Sequence, residues 1–401
     1  MHMVKQIRMA SVLPVCLFLL SCGGQKSGDQ QAEDIFGVSG YPVTIAFEKG
    51  IETEQEVLLS EIAKEVKIVP LETKPECLVA KVNKGMIQMV DHNLFIPCSE
   101  GLLQFTDDGK FVRSVAKRGQ GPGEYAAVRF IAANDRLKQV YLMDHGKLLT
   151  YSVDGTYIRE CKIPFCWQFT VLGDSTFVGY IYNNTGQKKD KLLLINQEGE
   201  TWNTFPQYDQ FTIASGLNYY LWGRYDRYVY SFKEEACCKE YYNDTVFTVT
   251  PEQLQPRYIL DMGRYKIPKE RRFEILEGNW LVYSEPAQAY LRPDFQETSQ
   301  WVFLPYTSWD VTSEDESPRL AMYDKKKGVC CKVKNDRIKN DMPGGLPFYP
   351  EARIADDVLL YYLEASEVLE LAEEYPSILD YEQLKNLKED DNPVLMIVRL
   401  K

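Results

Sequence analysis

Short stretches in which apolar and polar residues alternate recur along most of the chain, and this is the pattern of half-buried β-strands. In "EVKIVPLET", Val66 and Ile68 alternate with polar neighbours, and the regular strand pattern starts here. The stretch "PVLMIVRL" at 393–400 is apolar almost throughout and predicts a last strand. The pattern therefore predicts a mainly β protein.

Three similar hairpins follow one another at nearly constant spacing. The stretches "LQFTDDGKFVRSV", "LTYSVDGTYIREC" and "LLINQEGETWNTF" each join two strands through an acidic turn that ends in glycine. These glycines are Gly109, Gly155 and Gly199, at intervals of 46 and 44 residues. A repeat of this length that carries several short strands is typical of β-propeller blades.

Weaker signals continue the repeat towards the C-terminus. Hairpins are predicted at 242–253 ("YNDTVFTVTPEQ") and 320–333 ("LAMYDKKKGVCCKV"). The long interval between them has room for one more blade and an insertion, in which "PKERRFEILEGN" (268–279) is a candidate short helix. Together with the last strand, these hairpins predict an all-β, six-bladed β-propeller. Pairing of "EVKIVPLE" with "PVLMIVRL" would close the ring and remove its open edges.

One stretch near the C-terminus has helical spacing instead of strand spacing. Val368, Leu371 and Ala372, then Leu384 and Leu387, recur on one helical face and predict a helical insertion. Such an insertion could act as a lid over the propeller mouth or pack against one blade. Because an apolar stripe usually faces a core, we favour packing against a blade.

The stretch "AKRGQGPGEYAAVRF" at 116–130 is rich in glycine and raises the question of phosphate binding. A phosphate-binding loop needs a helix directly after it, so that backbone N–H groups converge on the anion. Here a strand, a turn and another strand follow, so we interpret the loop as a stiff crossover between two blades. Arg118 and Glu124 either grip a polar ligand or form a structural clip, and the clip is favoured.

The N-terminus carries a pattern for export. Lys5 and Arg8 precede an apolar run at 11–20, which is far shorter than the ~20 residues of a membrane span. The stretch "LLSC" that follows resembles the cleavage site of a bacterial lipoprotein and implies that Cys22 is lipidated. Acyl chains on Cys22 would tether the protein to a membrane without spanning it.

This pattern divides the chain into a signal peptide at 1–21, a flexible tether at 22–40 and a propeller at 41–401. We expect a lipid-anchored protein of the cell envelope, at the outer membrane, with its periplasmic or surface face left open. Loss of the signal removes two positive charges and no negative ones, so the net charge changes from −12 to −14. Nucleic acid is therefore not an expected partner.

Eight cysteines remain once the signal is removed and Cys22 is lipidated. The pairs Cys237-Cys238 and Cys330-Cys331 lie in predicted strands, where neighbouring side chains point to opposite faces. Neither pair has the spacing of a metal finger. We interpret most of the eight as small apolar core residues and leave disulfide bonds open.

Several motifs in this order resemble a known family. "IVPLET", "RGQGPGEY", "YNDTVFTV", "LQPRYILDMGRYKIP", "GGLPF" and "NPVLMIVRLK" are similar to six-bladed β-propeller lipoproteins of gut Bacteroidetes. The unit with "RGQGPGEY", Asp144 and Gly155 resembles an NHL-type repeat, although Cys98 takes the place of Asp144 in the preceding blade. The resemblance implies the fold and an envelope location, and leaves the activity open because one fold serves many functions.

The favoured function is a binding or interaction module with a glycan, peptide or protein ligand at the propeller face. The candidate ligand-binding residues flank the glycine-rich loop and the strand after it: Arg118, Glu124, Tyr125, Asp144 and His145. The aromatic stretch "NYYLWGRYDRYVYSF" at 218–232 would suit sugar stacking or protein contact. Its tyrosines are also good strand formers, and we favour packing between blades.

The alternative function is a calcium-dependent hydrolase or lactonase of the six-bladed propeller type. Asp144, Asn243 and Asp244 are candidate calcium ligands, and His145 is a candidate general base. Only His92 and His145 remain in the mature chain, so there are too few histidines to favour a multi-histidine metal site or a Ser-His-Asp triad. No cofactor is expected, calcium belongs only to this alternative, and catalysis ranks below binding. A structural subunit of an envelope assembly is a third interpretation.

Overall fold

The computed structural model describes residues 41–213, 227–271, 275–277, 280–281, 285–309, 318–342 and 345–401. The predicted signal peptide, the tether and Cys22 lie outside the described residues. Residues 41–401 form one compact unit. Within the described ranges, the helices are all too short or too polar to span a lipid bilayer.

Six antiparallel sheets of four main strands each form the blades of a β-propeller, as the repeat predicts. The strands of blades 1 to 3 are Gln88–Val90, Asn93–Cys98, Gly101–Thr106, Phe111–Ser114; Phe130–Asn134, Gln139–Asp144, Lys147–Ser152, Tyr157–Lys162; and Gln168–Leu172, Thr176–Tyr180, Asp190–Ile195, Thr201–Pro206. The strands of blades 4 to 6 are Val229–Phe232, Glu235–Lys239, Thr245–Val249, Leu254–Leu260; Gln296–Glu297, Trp301–Ser308, Arg319–Asp324, Val329–Val333; and Ala352–Ala355, Val358–Leu363, Val394–Leu400, Ala63–Pro70.

Shorter strands complete the sheets. Leu291–Pro293 adds to the inner edge of blade 5. Two small two-stranded sheets lie outside the blades: Lys117–Arg118 with Glu124–Tyr125, and Ile275–Glu277 with Trp280–Leu281. First strands of neighbouring blades contact one another and therefore surround the central axis. We call the face that carries the crossovers between blades the upper face, and the face that carries the turns between first and second strands the lower face.

The ring closes through its two ends, as the apolar patterns predict. Ala63–Pro70 is the outermost strand of blade 6 and pairs antiparallel with Val394–Leu400, from Ala63 opposite Leu400 to Pro70 opposite Val394. Two shorter N-terminal strands add parallel to outer edges: Val43–Ile45 to blade 4 and Glu54–Gln55 to blade 5. The N-terminal segment thus covers the outer strands of blades 4 and 5, which leaves these strands unavailable for pairing with another chain, and it forms the outer strand of blade 6 itself.

The turn glycines lie where the repeat places them. Gly109, Gly155 and Gly199 join the third and fourth strands of blades 1, 2 and 3, with φ values of +86°, +79° and +89°. At Gly199 a Cβ atom would lie against the backbone oxygen of Lys162, so both the backbone angle and the available space require glycine. The later hairpins at 242–253 and 320–333 are also present.

The predicted C-terminal helix packs against a blade. It runs from Ala365 to Glu374 in the connection between the second and third strands of blade 6, and the short 3-10 turns Pro376–Asp380 and Glu382–Leu384 follow it. Val368, Ile378 and Leu384 are buried in the core that blades 5 and 6 share.

The expectation of a short helix at 268–279 is wrong in its described part. There a 3-10 turn at Lys269–Arg271 precedes the strand Ile275–Glu277, because the chain forms a local hairpin. The short helices Phe47–Ile51 and Leu59–Ile62 lie in the N-terminal segment, and further 3-10 turns at Pro75–Cys77, Lys84–Met86, Gly263–Tyr265, Glu285–Ala289 and Lys334–Asp336 lie in connections.

Adjacent cysteines point to opposite faces of their strands, as predicted. Cys237 belongs to the core between blades 4 and 5, and Cys238 to the core between blades 3 and 4. Cys330 shares the core of Cys237, and Cys331 is also buried. All eight described cysteines are free thiols.

Candidate functional site

The glycine-rich crossover is held together by its own residues. The short strands Lys117–Arg118 and Glu124–Tyr125 pair in parallel, and the glycine-rich loop connects them. Arg118 lies opposite Tyr125 in this pair. The Glu124 carboxylate turns back under the loop and accepts the Gly121 N–H at 2.8 Å. A Cβ atom at Gly119 would lie against Glu124 Oε2, so a larger residue here would displace this carboxylate. The Arg118 guanidinium donates to the Ser99 carbonyl oxygen, and Tyr125 is buried.

Asp144 and His145 lie at the end of the second strand of blade 2, beside the same crossover. The Asp144 carboxylate accepts backbone N–H groups from Ala126 at 2.7 Å, Ala127 at 3.2 Å and His145 at 2.7 Å. Burial alone would raise the pKa of Asp144, but these three donors hold its pKa below the ordinary value. The His145 ring contacts Arg129. The five candidate residues therefore lie around one crossover, and most of their described contacts are to backbone.

Replacing Asp144 by alanine is expected to lower the free energy of unfolding by about 1–3 kcal/mol, because three backbone N–H groups of the crossover would lose their buried acceptor. Asp144→Asn retains one oxygen acceptor and should cost less. Urea unfolding of both variants checks this. Equal stability of Asp144→Ala and the unchanged protein would contradict the structural role.

A deep groove opens at the upper face and rim between blades 3 and 4, with a volume of about 910 Å³. Six tyrosines line it: Tyr180, Tyr182, Tyr208, Tyr228, Tyr241 and Tyr242. We call this site the aromatic groove. Amide and hydroxyl groups stand among the rings, including those of Asn183, Asn203, Thr204 and Gln207. A concave site with apolar faces and a few polar groups is the usual form of a small-ligand site.

The rings of the aromatic groove support one another. Tyr180 of blade 3 stacks on Tyr228 of blade 4, with centroids 4.8 Å apart and planes 11° from parallel. Tyr228 also contacts Tyr182 and Tyr241 edge-on or tilted, at 5.7 and 5.6 Å. Tyr242 stacks on Trp309 of blade 5 at 4.6 Å. These contacts fix the ring planes before any ligand arrives.

A buried ion pair lies in the wall of the aromatic groove. Lys191 of blade 3 pairs with Glu240 of blade 4, and the Tyr180 hydroxyl donates to the other carboxylate oxygen of Glu240 at 3.1 Å. Burial lowers the pKa of Lys191, but the Glu240 charge outweighs it, so the pKa is raised overall. Burial also raises the pKa of the Tyr180 hydroxyl far above its ordinary value. Lys191 therefore carries its charge throughout the neutral range.

The candidate calcium ligands are engaged elsewhere. Asn243 accepts the Thr245 N–H at 3.0 Å, and Asp244 pairs with Lys266. Both lie in blade 4, whereas Asp144 holds the crossover before blade 2. Within the described ranges, no group of three or more His, Cys, Asp or Glu side chains is arranged to hold a metal ion.

Sequence reasoning missed the aromatic groove because its rings come from separate segments. Tyr180 ends the second strand of blade 3, whereas Tyr208 and Tyr242 lie in two different connections, and no local pattern links the three. Part of the predicted aromatic stretch at 218–232 falls outside the described residues, and its described part supplies Tyr228, which packs between blades as favoured. None of the five candidate residues at the crossover lines the groove.

The fold and the groove define a six-bladed β-propeller with a preformed aromatic site. The chain belongs to the family described as "Domain of unknown function (DUF4934)", whose profile matches residues 42–399. No curated protein sequence matches the chain.

A solved structure gives the same fold. A protein of Bacteroides fragilis that is described as exported superposes with a TM-score of 0.68 at 18% identity, over 89% of this chain and 99% of its own. A protein of unknown function from Bacteroides caccae matches 64% of this chain and 83% of its own, at 10% identity and a TM-score of 0.36. The extracellular domain of a one-component system from B. thetaiotaomicron matches 67% of this chain and 29% of its own, at 13% identity and a TM-score of 0.36.

Proposed function

We propose that this protein is a lipid-anchored binding module of the cell envelope and that the aromatic groove binds an oligosaccharide. The observation that carries the proposal is the groove itself, where ring contacts hold five of the six tyrosines in fixed planes between polar groups. The C–H faces of a sugar ring pack on aromatic faces, and its hydroxyls pair with amide, hydroxyl and charged groups at the edges.

The location rests on the N-terminal pattern. Lys5, Arg8, the short apolar run and Cys22 support export followed by lipidation, and the outer membrane is the membrane we propose. The description of the B. fragilis protein as exported agrees with this proposal. The NHL-like character of blade 2 also stays a proposal, supported by Asp144 and Gly155 at matching positions of the unit.

Replacing Tyr208 by alanine tests the groove. Its side chain is 81% exposed, so its loss should leave the thermal midpoint unchanged while removing one stacking face. We expect affinity for the best oligosaccharide found in a glycan-array screen to fall about three- to tenfold, measured by titration calorimetry.

Phe165→Ala is the matched control. Phe165 is 70% exposed in the crossover between blades 2 and 3, on the same face, and it does not line the groove. Its loss should leave affinity unchanged. An array with no bound glycan, or equal affinity of Tyr208→Ala and the unchanged protein, would refute the proposal. Binding of a peptide and of no sugar would also refute the oligosaccharide as the ligand, and would assign the groove to a peptide.

A further inference from the structure

A second cavity, of about 590 Å³, opens at the lower face around the central axis. Its walls are the first strands of blades 1, 2, 3, 4 and 6, and the turns after these strands form its mouth. First strands run from the upper to the lower face. Arg227 precedes the first strand of blade 4, and Arg353 is the second residue of the first strand of blade 6. Both therefore lie at the end of the cavity that is farthest from its mouth. We call this site the central cavity.

The lining of the central cavity is cationic, although the whole chain has a net charge of −12. Six lysine and arginine side chains face four carboxylates. All four carboxylates are already paired with lining cations: Asp356 with Arg353 at 2.9 Å, Glu234 with Arg136 at 3.2 Å, and both Asp91 and Asp135 with Lys138 at 3.3 and 3.1 Å. Arg399 pairs with Glu65 and Asp107.

Arg227 differs from these cations in its partners. Its guanidinium donates to two backbone oxygens, those of Gly85 and of Arg353, the latter at 3.4 Å. These bonds use two of its five N–H donors, and the other three have no acceptor among the described residues. Burial and the nearby charge of Arg353 lower the pKa of Arg227 to about 10. The charge of Asp294 acts in the opposite direction, but no salt bridge joins Arg227 to a carboxylate among the described residues. A confined guanidinium without an ion-pair partner is costly unless an anion compensates it.

We propose that the central cavity binds a small molecule that carries a carboxylate, sulfate or phosphate group, and that Arg227 pairs with this anion. The free donors of a guanidinium fit the two oxygens of such a group in a fork. The cavity is larger than an inorganic anion, so an organic acid such as a sugar acid suits its volume. This site is separate from the aromatic groove, and the inference does not depend on the function proposed for the groove.

Titration calorimetry with inorganic sulfate, inorganic phosphate and glucuronate tests the inference, with glucose as the neutral comparison. We expect at least one of the three anions to bind and glucose not to bind at this site. Arg227→Met removes the charge and keeps the length of the side chain. It should weaken anion binding at least about tenfold, because a hydrogen bond to a charged group is lost. Arg227→Lys keeps the charge and should retain part of the affinity.

Arg159→Met is the control, since Arg159 lies on the outer strand of blade 2 and does not line the cavity. It should bind anions as the unchanged protein does. Tyr208→Ala should also leave anion binding unchanged, which separates this site from the aromatic groove. Absence of binding for all three anions, or unchanged affinity in Arg227→Met, would overturn the inference.

Discussion

Replacing Glu297 by alanine is expected to lower the free energy of unfolding by about 3–5 kcal/mol, the largest effect of any single substitution proposed for this protein. Glu297 lies on the first strand of blade 5, and none of its surface is exposed. Its carboxylate accepts from Arg257 Nη2 and from Lys325 Nζ, each at 2.9 Å. The hydroxyls of Tyr230 and Tyr258 donate to it at 3.1 and 2.9 Å.

The stability is lost because Arg257 and Lys325 would remain in the core without the carboxylate that they share. Burial would raise the pKa of Glu297, but the charges of Lys325 and Arg257 outweigh it and hold the pKa below its ordinary value. Removing the carboxylate takes away the buried acceptor that Arg257 and Lys325 share. These groups join blade 4 to blade 5, so the loss weakens the contact between two blades.

Glu235→Gln is the matched control for Glu297→Ala. Glu235 also pairs with Arg257, at 2.7 Å, but its side chain is 48% exposed. Water screens that pair, so the substitution should cost no more than about 1 kcal/mol. Urea unfolding followed by tryptophan fluorescence measures both variants. Similar small losses in the two variants would show that Glu297 does not hold the blades together.

Stability is expected to fall steeply above pH 9, because buried thiols resist ionisation in the folded protein. Burial raises the pKa of Cys166, Cys237 and Cys330 to about 12, and that of Cys238 is also raised. In the unfolded chain a thiol loses its proton near pH 9, so above this value the folded state holds more protons. Each thiol then lowers the free energy of unfolding by about 1.4 kcal/mol per pH unit.

Two buried amines act in the opposite direction, because burial lowers the pKa of both Lys239 and Lys325. Burial lowers the pKa of Lys239 to about 8, so its penalty on folding is relieved as the pH rises from there to the ordinary lysine value. The four thiols outnumber the two amines, so a net loss of the free energy of unfolding remains as the pH rises near 10. Urea unfolding between pH 8 and 11, in the presence of a reducing agent, measures this slope.

A variant with Cys166 and Cys330 both replaced by alanine isolates the thiols. The cavities that these substitutions leave cost the same at every pH, so only the slope reports ionisation. With two of the four thiols removed, the loss per pH unit should fall by about 3 kcal/mol. An unchanged slope would assign the alkaline transition to other groups.

The fold could be predicted from local patterns because each blade repeats the same hairpins between strands that are neighbours in sequence. Gly109, Gly155 and Gly199 mark turns whose backbone angles only glycine adopts easily, and these can be read from the sequence. Apolar strands at both ends predicted closure for a similar reason, since an unpaired edge is unfavourable.

The sites could not be predicted in the same way. Glu297 and Arg257 are 40 residues apart, and their contact depends on how blade 4 packs on blade 5. Arg227 and Arg353 meet across the axis because both stand near the start of a first strand, which requires the complete ring. Arg118 and Glu124 could be identified because they flank a glycine-rich motif, and in the structure their contacts stabilise the crossover.

Closure through both ends also determines when the molecule can finish folding. Pro70 pairs with Val394, so more than 320 residues must be synthesised between the two strands of this ladder. At 5–20 residues per second, this takes roughly 15 to 65 seconds. During that time the strand Ala63–Pro70 has no partner in blade 6. A nascent chain is therefore an open arc until its last strand is made, and this interval is when it is most exposed to aggregation and proteolysis.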